Sequence, residues 1–365
     1  MAPLAPPPAP PVRSPRHLYL HFPFCSGRCR YCAFVSGPPP ADVPGYIQSL
    51  VAEARARGFA LPLGPLDSLY CGGGTPGLIG EAGFRALAQS GLFTLARGAE
   101  WSVELHPATV SEGLVATLAE LGVTRLSIGV QSFDEATLVR CNRRHTVPQA
   151  LEAIARARAA IPDTGIDLIA GLPGLSPALW RQTLRRALAL DLPHLSIYAL
   201  SIEPGSAWAR APEPDPDALC NAIALAARAL PRAGYARYET SNYARPGFRC
   251  RHNLNTWHGG DYLGLGRGAA SRLGLERRDG AGHCERLAPL DDQLERALSQ
   301  LRLDEGFDLG ALCARFPRLA PLRGAWQTCL ASAQRHGLLN ARFAPTLRGY
   351  EVLDALQRDL LAALV

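Results

Sequence analysis

Cys25, Cys29 and Cys32 stand in the string HFPFCSGRCRYCAF with the spacing C-x3-C-x2-C. Three thiolates this close can converge on one metal centre. Structural zinc wants a fourth ligand, usually from a second Cys or His pair, and His21 is the nearest candidate. A [4Fe–4S] cluster held by three cysteines instead leaves one iron free for a substrate or cofactor, which is a catalytic arrangement. Three buried thiols with no metal are the third reading. The other seven Cys show no pairing pattern and fit small buried hydrophobes. Ten Cys in 365 residues do not make a secreted disulfide framework, so the thiols point to a reducing compartment.

A second string, YCGGGTPG at 70–77, places Gly72, Gly73 and Gly74 before Thr75. Consecutive glycines let the backbone approach a ligand closely, although a tight strand-to-helix turn would use them too. Four polar residues then fall at or just after apolar runs: Glu104 in VELHP, Gln131 in IGVQSF, Arg143 in CNRRH and Asp167 in GIDLIAGLPG. One such group alone is an ordinary loop residue. A set that recurs on successive strands is harder to dismiss.

The elements that must position them alternate. Short strands are expected at His17–Phe22, Leu66–Tyr70, Trp101–Leu105, Arg125–Val130, Gly165–Ala170, His194–Leu200 and Tyr235–Thr240. Between them apolar residues recur at helical spacing, as in Tyr46, Ile47, Leu50, Val51 and Ala54, in Leu114, Leu118 and Leu121, and across 218–230. This is the pattern of a parallel sheet with crossover helices, and six or seven units favour a partial (β/α) barrel over a doubly wound sheet. In such a barrel chemistry gathers at the C-terminal ends of the strands, where the cysteine loop, the glycines and the four polar residues all lie. Residues 1–16 carry seven Pro and two Arg and read as a disordered tail. The barrel is assigned to 17–245. A smaller, mainly helical domain is assigned to 246–365, with helices expected at 291–303 and 323–336.

Together these strings resemble the radical S-adenosylmethionine (SAM) enzymes, and within them the anaerobic coproporphyrinogen III oxidase group, over about 18–303. The resemblance implies a [4Fe–4S] cluster on Cys25, Cys29 and Cys32 whose open iron chelates SAM. An electron from the cluster then cleaves SAM to a 5′-deoxyadenosyl radical. It implies SAM contacts at Tyr19, Phe34, Gly72, Gly73, Gly74, Thr75, Glu104, Gln131, Arg143 and Asp167. Two departures set the chain apart from the oxidase proper. Phe34 stands where that enzyme has a fourth Cys, and only a Pro-rich tail precedes the first strand. Both point to the oxidase-like haem chaperones. RHNLNTWHGGDYLGL at 251–265 resembles their H-N-x-x-Y-W signature, with Thr256 in place of the usual Tyr and His106 unusual in VELHP. On that resemblance His252 is the candidate haem ligand, His258 the second, and apo-haemoproteins, respiratory enzymes among them, the recipients. Oxidative decarboxylation of coproporphyrinogen III is the alternative, and an inert Fe–S or haem module the third reading. In the second domain a hydrogen-bonded structural His252 is the plain alternative to a ligand.

Composition adds exclusions. All 38 basic residues are Arg, the net charge is +6, and no Arg run exceeds two. That pattern follows codon bias and gives little support to nucleic-acid binding. No apolar run approaches the ~18 residues a membrane span needs, and nothing has the build of a signal peptide. A cytoplasmic location is expected, with peripheral membrane contact left open by the nature of the recipients.

Overall fold

The computed structural model describes residues 14–211 and 214–362. Six strands run parallel in chain order: β1 His17–Phe22, β2 Leu63–Gly73, β3 Phe93–Leu105, β4 Arg125–Gln131, β5 Thr164–Ala170 and β6 His194–Ala199. Their connections carry the helices α1 Val43–Ala56, α2 Gly80–Gln89, α3 Glu112–Glu120, α4 Glu135–Arg140, α5 Val147–Ala160 and α6 Pro177–Ala189, followed after β6 by α7 Pro216–Arg232. Several of these helices begin on a side chain that satisfies free N–H groups. Ser111 caps α3, Ser176 caps α6, and Thr146 with Gln149 forms a capping box at α5.

The strands alternate in a way that two-faced burial would not require. On one face Leu18, Leu20, Leu69, Val103, Leu126, Ile128, Ile166, Leu168 and Leu195 are buried in the main core, which the helices share. The other face carries Tyr19, Ser68, Tyr70, Glu100, Glu104, Ser127, Asp167 and Tyr198, and these meet one another across the sheet. The barrel interior is therefore polar while its outer wall is apolar.

The seventh expected strand, Tyr235–Thr240, is not a barrel strand. Only Ala236–Arg237 (β7) is extended, and it pairs antiparallel with Asn242–Ala244 (β8), itself antiparallel to β6. Buried Tyr235 and Tyr238 supply the strand-like pattern, but the chain turns at Glu239, whose carboxylate accepts the Ser241 N–H at 2.8 Å. At the other edge Leu263–Leu265 (β9) joins β1 in parallel. The sheet thus takes its last strand from beyond residue 245, and its order is β7-β8-β6-β5-β4-β3-β2-β1-β9.

Helix α8, Arg251–Trp257, precedes β9. After it come a small antiparallel sheet (β10 Ser271–Leu273, β11 Glu276–Arg278, β12 Cys284–Arg286) and the helices α9 Pro289–Ser299, α10 Leu309–Arg315, α11 Arg323–Arg335, α12 Leu347–Glu351 and α13 Leu353–Ala362. These helices enclose a second core around Leu301, Phe307, Leu319, Trp326 and Leu360. Of the expected tail, residues 1–13 lie outside the described residues. Ser14 and Arg16 are held against β2: Ser14 accepts the Gly64 N–H and donates to its carbonyl, and Arg16 pairs with Asp67. Among the described residues no helix is long and apolar enough to cross a membrane.

Candidate functional site

At the C-terminal ends of the strands a cavity of about 390 Å³ is lined by Cys25, Cys29, Cys32 and Phe34 from the loop after β1. Gly73, Gly74 and Thr75 line it from the end of β2, Glu104 and His106 from β3, Gln131 and Arg143 from β4 and the segment after it, Asp167 from β5 and Tyr198 from β6. All three thiols and most of the predicted polar residues therefore share one site.

Backbone geometry explains the glycines. Gly73 has φ +113°, and a Cβ there would meet His21 Nε2 at 2.8 Å. A Cβ on Gly74 would lie 2.5 Å from the Phe24 carbonyl oxygen. Both positions let the β2 end pass directly under the cysteine loop. Gln131 sits at a register shift between β4 and β5 with φ 71°, a left-handed conformation rare for a side chain of this size. Such local strain collects at binding sites, where it aims a group that a regular strand would direct elsewhere.

The electrostatics suit a polar, partly cationic ligand. Glu104 accepts the Tyr70 hydroxyl at 2.8 Å and the Gly73 N–H at 3.2 Å. Burial, reinforced by the charge of Asp167, pushes its carboxyl up to about 7. Burial also raises Asp167, which accepts the Ser127 hydroxyl at 3.0 Å. Arg143 donates to Cys29 Sγ at 3.4 Å and to the Gly129 carbonyl, while its Nε is buried without a partner. The Gln131 carbonyl oxygen is orphaned in the same way. Buried polar groups are normally satisfied, and both orphans belong to residues that line the cavity. His106 accepts the Ala108 N–H through Nδ1, and burial together with Arg143 holds it neutral, down to about 2.

Three predicted residues have other places. Tyr19 does not line the cavity. It lies one layer lower, stacked on Tyr70 at 6.1 Å with its hydroxyl 3.0 Å from His21 Nδ1. Register puts it there, because Tyr19 pairs with Tyr70 and the cavity begins above them. Gly72 is a spacer: a Cβ there would meet Glu104 Oε2 at 3.0 Å. His252 is at the opposite end of the barrel. It is 5% exposed, its Nδ1 is 2.8 Å from Ser68 Oγ, and burial pushes its imidazole down to about 3. It packs with His17, Tyr19 and Tyr70 in the barrel floor, and among the described residues its Nε2 has no hydrogen-bond partner. His258 lies outside the barrel with Nε2 held by Glu305 at 2.8 Å. The sequence reading missed Tyr70, which holds Glu104, and Tyr198, which lines the cavity. Their strand-end positions were the available signal.

The three thiols come from one short loop on one wall of the cavity, with the Arg143 guanidinium 3.4 Å from Cys29 Sγ, a donor set that suits a cluster whose thiolates bind separate irons.

A three-thiol loop at the mouth of a half-open β/α barrel, over a glycine strand end, defines a radical SAM protein. Residues 19–187 match the radical SAM superfamily. The chain is 38% identical over 273 residues to the heme chaperone HemW of Escherichia coli K12, covering 71% of this chain and 70% of that one. It is 35% identical over 328 residues to heme chaperone HemW of Synechocystis, covering 80% and 79%. A mouse mitochondrial relative, radical S-adenosyl methionine domain-containing protein 1, is 36% identical over 74% of this chain and 64% of its own length. Among solved structures, coproporphyrinogen III oxidase HemN of Escherichia coli superposes with a TM-score of 0.79 at 21% identity, covering 95% of this chain and 90% of that one. That likeness establishes the fold. The chain belongs to the HemW family of radical SAM proteins, a membership that implies a [4Fe–4S] cluster and SAM.

Proposed function

We propose that this protein binds haem and delivers it to apo-haemoproteins, with a [4Fe–4S] cluster and SAM held in the barrel. The observation that carries the reading is the likeness to relatives named heme chaperones over most of both chains. Phe34 in place of a fourth Cys agrees with it.

Cys25, Cys29 and Cys32 would hold the cluster, and the unpartnered Arg143 Nε and Gln131 oxygen fit the polar ends of SAM. When bound, the pair supplies one-electron cleavage of the SAM sulfonium. The chain's own part is to orient it. Gly73, Gly74 and Thr75 offer backbone and hydroxyl contacts, Arg143 suits a carboxylate, and Glu104 and Asp167 suit ribose hydroxyls. Residues 17–245 would form the cofactor part and 246–365 the part that gives the chaperone its haem site, joined through β9.

The test is one preparation made anaerobically with reconstituted iron. Haem titration, haem transfer to an apo-haemoprotein and conversion of coproporphyrinogen III with SAM and a reductant are followed in parallel. Haem binding and transfer without conversion is the expected result. Steady conversion without transfer would overturn the reading in favour of oxidative decarboxylation.

A further inference from the structure

One hydroxyl in the barrel floor joins two histidines. His17 on β1 and Ser68 on β2 are register partners, and His17 Nδ1 lies 2.8 Å from Ser68 Oγ. On its other side Ser68 Oγ lies 2.8 Å from Nδ1 of His252 on α8. We propose that Ser68 and His17 are positioning residues for haem: together they hold the proton of His252 on Nδ1 and so present a bare Nε2 to the haem iron. This role rests on the haem-chaperone reading above, with His252 as the ligand.

An imidazole binds iron only through a nitrogen that carries no proton. Burial favours the neutral form of both rings, so each has one N–H. A serine hydroxyl has one proton to donate and lone pairs with which to accept. Ser68 bonds both rings by donating to one Nδ1 and accepting from the other. When it donates to His17, the His252 Nδ1–H donates to Ser68 Oγ, and Nε2 is the bare nitrogen. When it donates to His252, the proton of that ring sits on Nε2 and closes it to a metal. The tautomers of the two rings are therefore coupled through one hydroxyl. Among the described residues His252 Nε2 has no hydrogen-bond partner, so no acceptor there competes with Ser68 for the proton. Iron on Nε2 selects the first arrangement, which needs a His17 whose Nδ1 accepts.

The rest of the floor fixes the ring in place. Glu100 accepts the His252 backbone N–H at 3.1 Å. Tyr70 and Tyr262 flank the imidazole at ring-centroid distances of 5.2 and 6.3 Å. Ser68 is fully buried, with these two histidines as its side-chain partners. A hydrogen bond on the far ring nitrogen is the outer contact that orients metal-binding histidines and raises their basicity. Ser68 acts on the ring edge away from Nε2, so it needs no contact with haem.

The test titrates ferric haem into the full reconstituted chain and follows the Soret band, the affinity and the reduction potential of the bound haem. His252→Ala is expected to lose the wild-type band. Ser68→Ala, which leaves the imidazole in place, is expected to weaken haem about ten- to a hundredfold. It should also raise the potential, because Nδ1–H loses its acceptor and the ring becomes a poorer electron donor. His17→Ala is expected to move both in the same direction. His17→Asn, whose amide oxygen can stand near the Nδ1 position, is expected to bring both back, which a packing defect would not allow. The two His17 variants decide the matter where Ser68→Ala does not fold. Wild-type affinity and potential in Ser68→Ala and His17→Ala would overturn the role of the pair and leave His252 as the ligand. A wild-type band in His252→Ala would overturn that role too, by removing the ligand it serves, and leave the chaperone reading standing. A wild-type chain with no saturable haem band would overturn that reading itself.

Discussion

Glu100 and Glu104 sit four residues apart on β3, both inside the barrel, and meet opposite surroundings. At the floor, Glu100 accepts the backbone N–H groups of Arg251 and His252 at 2.8 and 3.1 Å and the Cys250 thiol at 3.4 Å. It thereby fastens the start of α8 beneath the strands. Arg125 pairs with Asp163 and the Phe248 carbonyl, and His194 bonds Tyr238 through Nε2 while its Nδ1 is left without a partner. At the mouth, Glu104 has one hydroxyl and one N–H, a raised pKa, and orphaned polar atoms nearby. A buried polar cluster that is fully satisfied gives rigidity; one left short of partners holds room for a ligand. Burial and polarity alone do not separate the two ends. The hydrogen-bond balance of the two carboxylates does.

Each prediction acts on one end. The largest effect belongs to the mouth: replacing Cys25, Cys29 and Cys32 with Ala is expected to remove all bound iron, measured by iron and sulfide content after anaerobic reconstitution, with the fold kept by circular dichroism. At the floor, Glu100→Ala orphans two buried N–H groups, at about 1–3 kcal/mol each, and chemical denaturation reads the loss. A third concerns pH. Folded Glu104 keeps its proton to about 7, whereas the unfolded side chain releases it near 4.3. Stability of the cofactor-free chain should therefore fall as pH rises between those values and level off above them. Glu104→Gln is expected to flatten that slope in melting temperatures taken from pH 5 to pH 8. The smallest loss of stability is expected of His252→Ala, which removes one buried hydrogen bond worth about 0.5–1.5 kcal/mol, while haem titration of the same variant tests the imidazole as haem ligand. A haem affinity that drops with His252 would show that the floor is more than structural.

Much of the mouth was legible in the sequence. Cysteine spacing, the glycine string and the strand-end positions of Glu104, Gln131, Arg143 and Asp167 are local signals, and strand ends converge in any such barrel. Tyr19 was not legible, because depth in the barrel depends on the pairing of β1 with β2. For His252 the motif gave the residue but not its place, because a histidine motif says nothing about which wall will cover it. β9 escaped because three residues among glycines carry no period. The alternation of β1–β6 was visible, but it takes the helices to show that the polar side is the interior.

The division between the two ends is tested most directly by crossing two readouts on two variants. SAM affinity by equilibrium binding and stability by denaturation are measured for Glu104→Ala and Glu100→Ala in the reconstituted protein. Glu104→Ala should lose about 5- to 150-fold in SAM affinity, the equivalent of one polar contact of about 1–3 kcal/mol, beside the stability cost of leaving the Tyr70 hydroxyl and the Gly73 N–H without their acceptor. Glu100→Ala should lose stability and bind SAM as the wild type does. Unchanged SAM affinity in Glu104→Ala, or a loss confined to Glu100→Ala, would contradict the account.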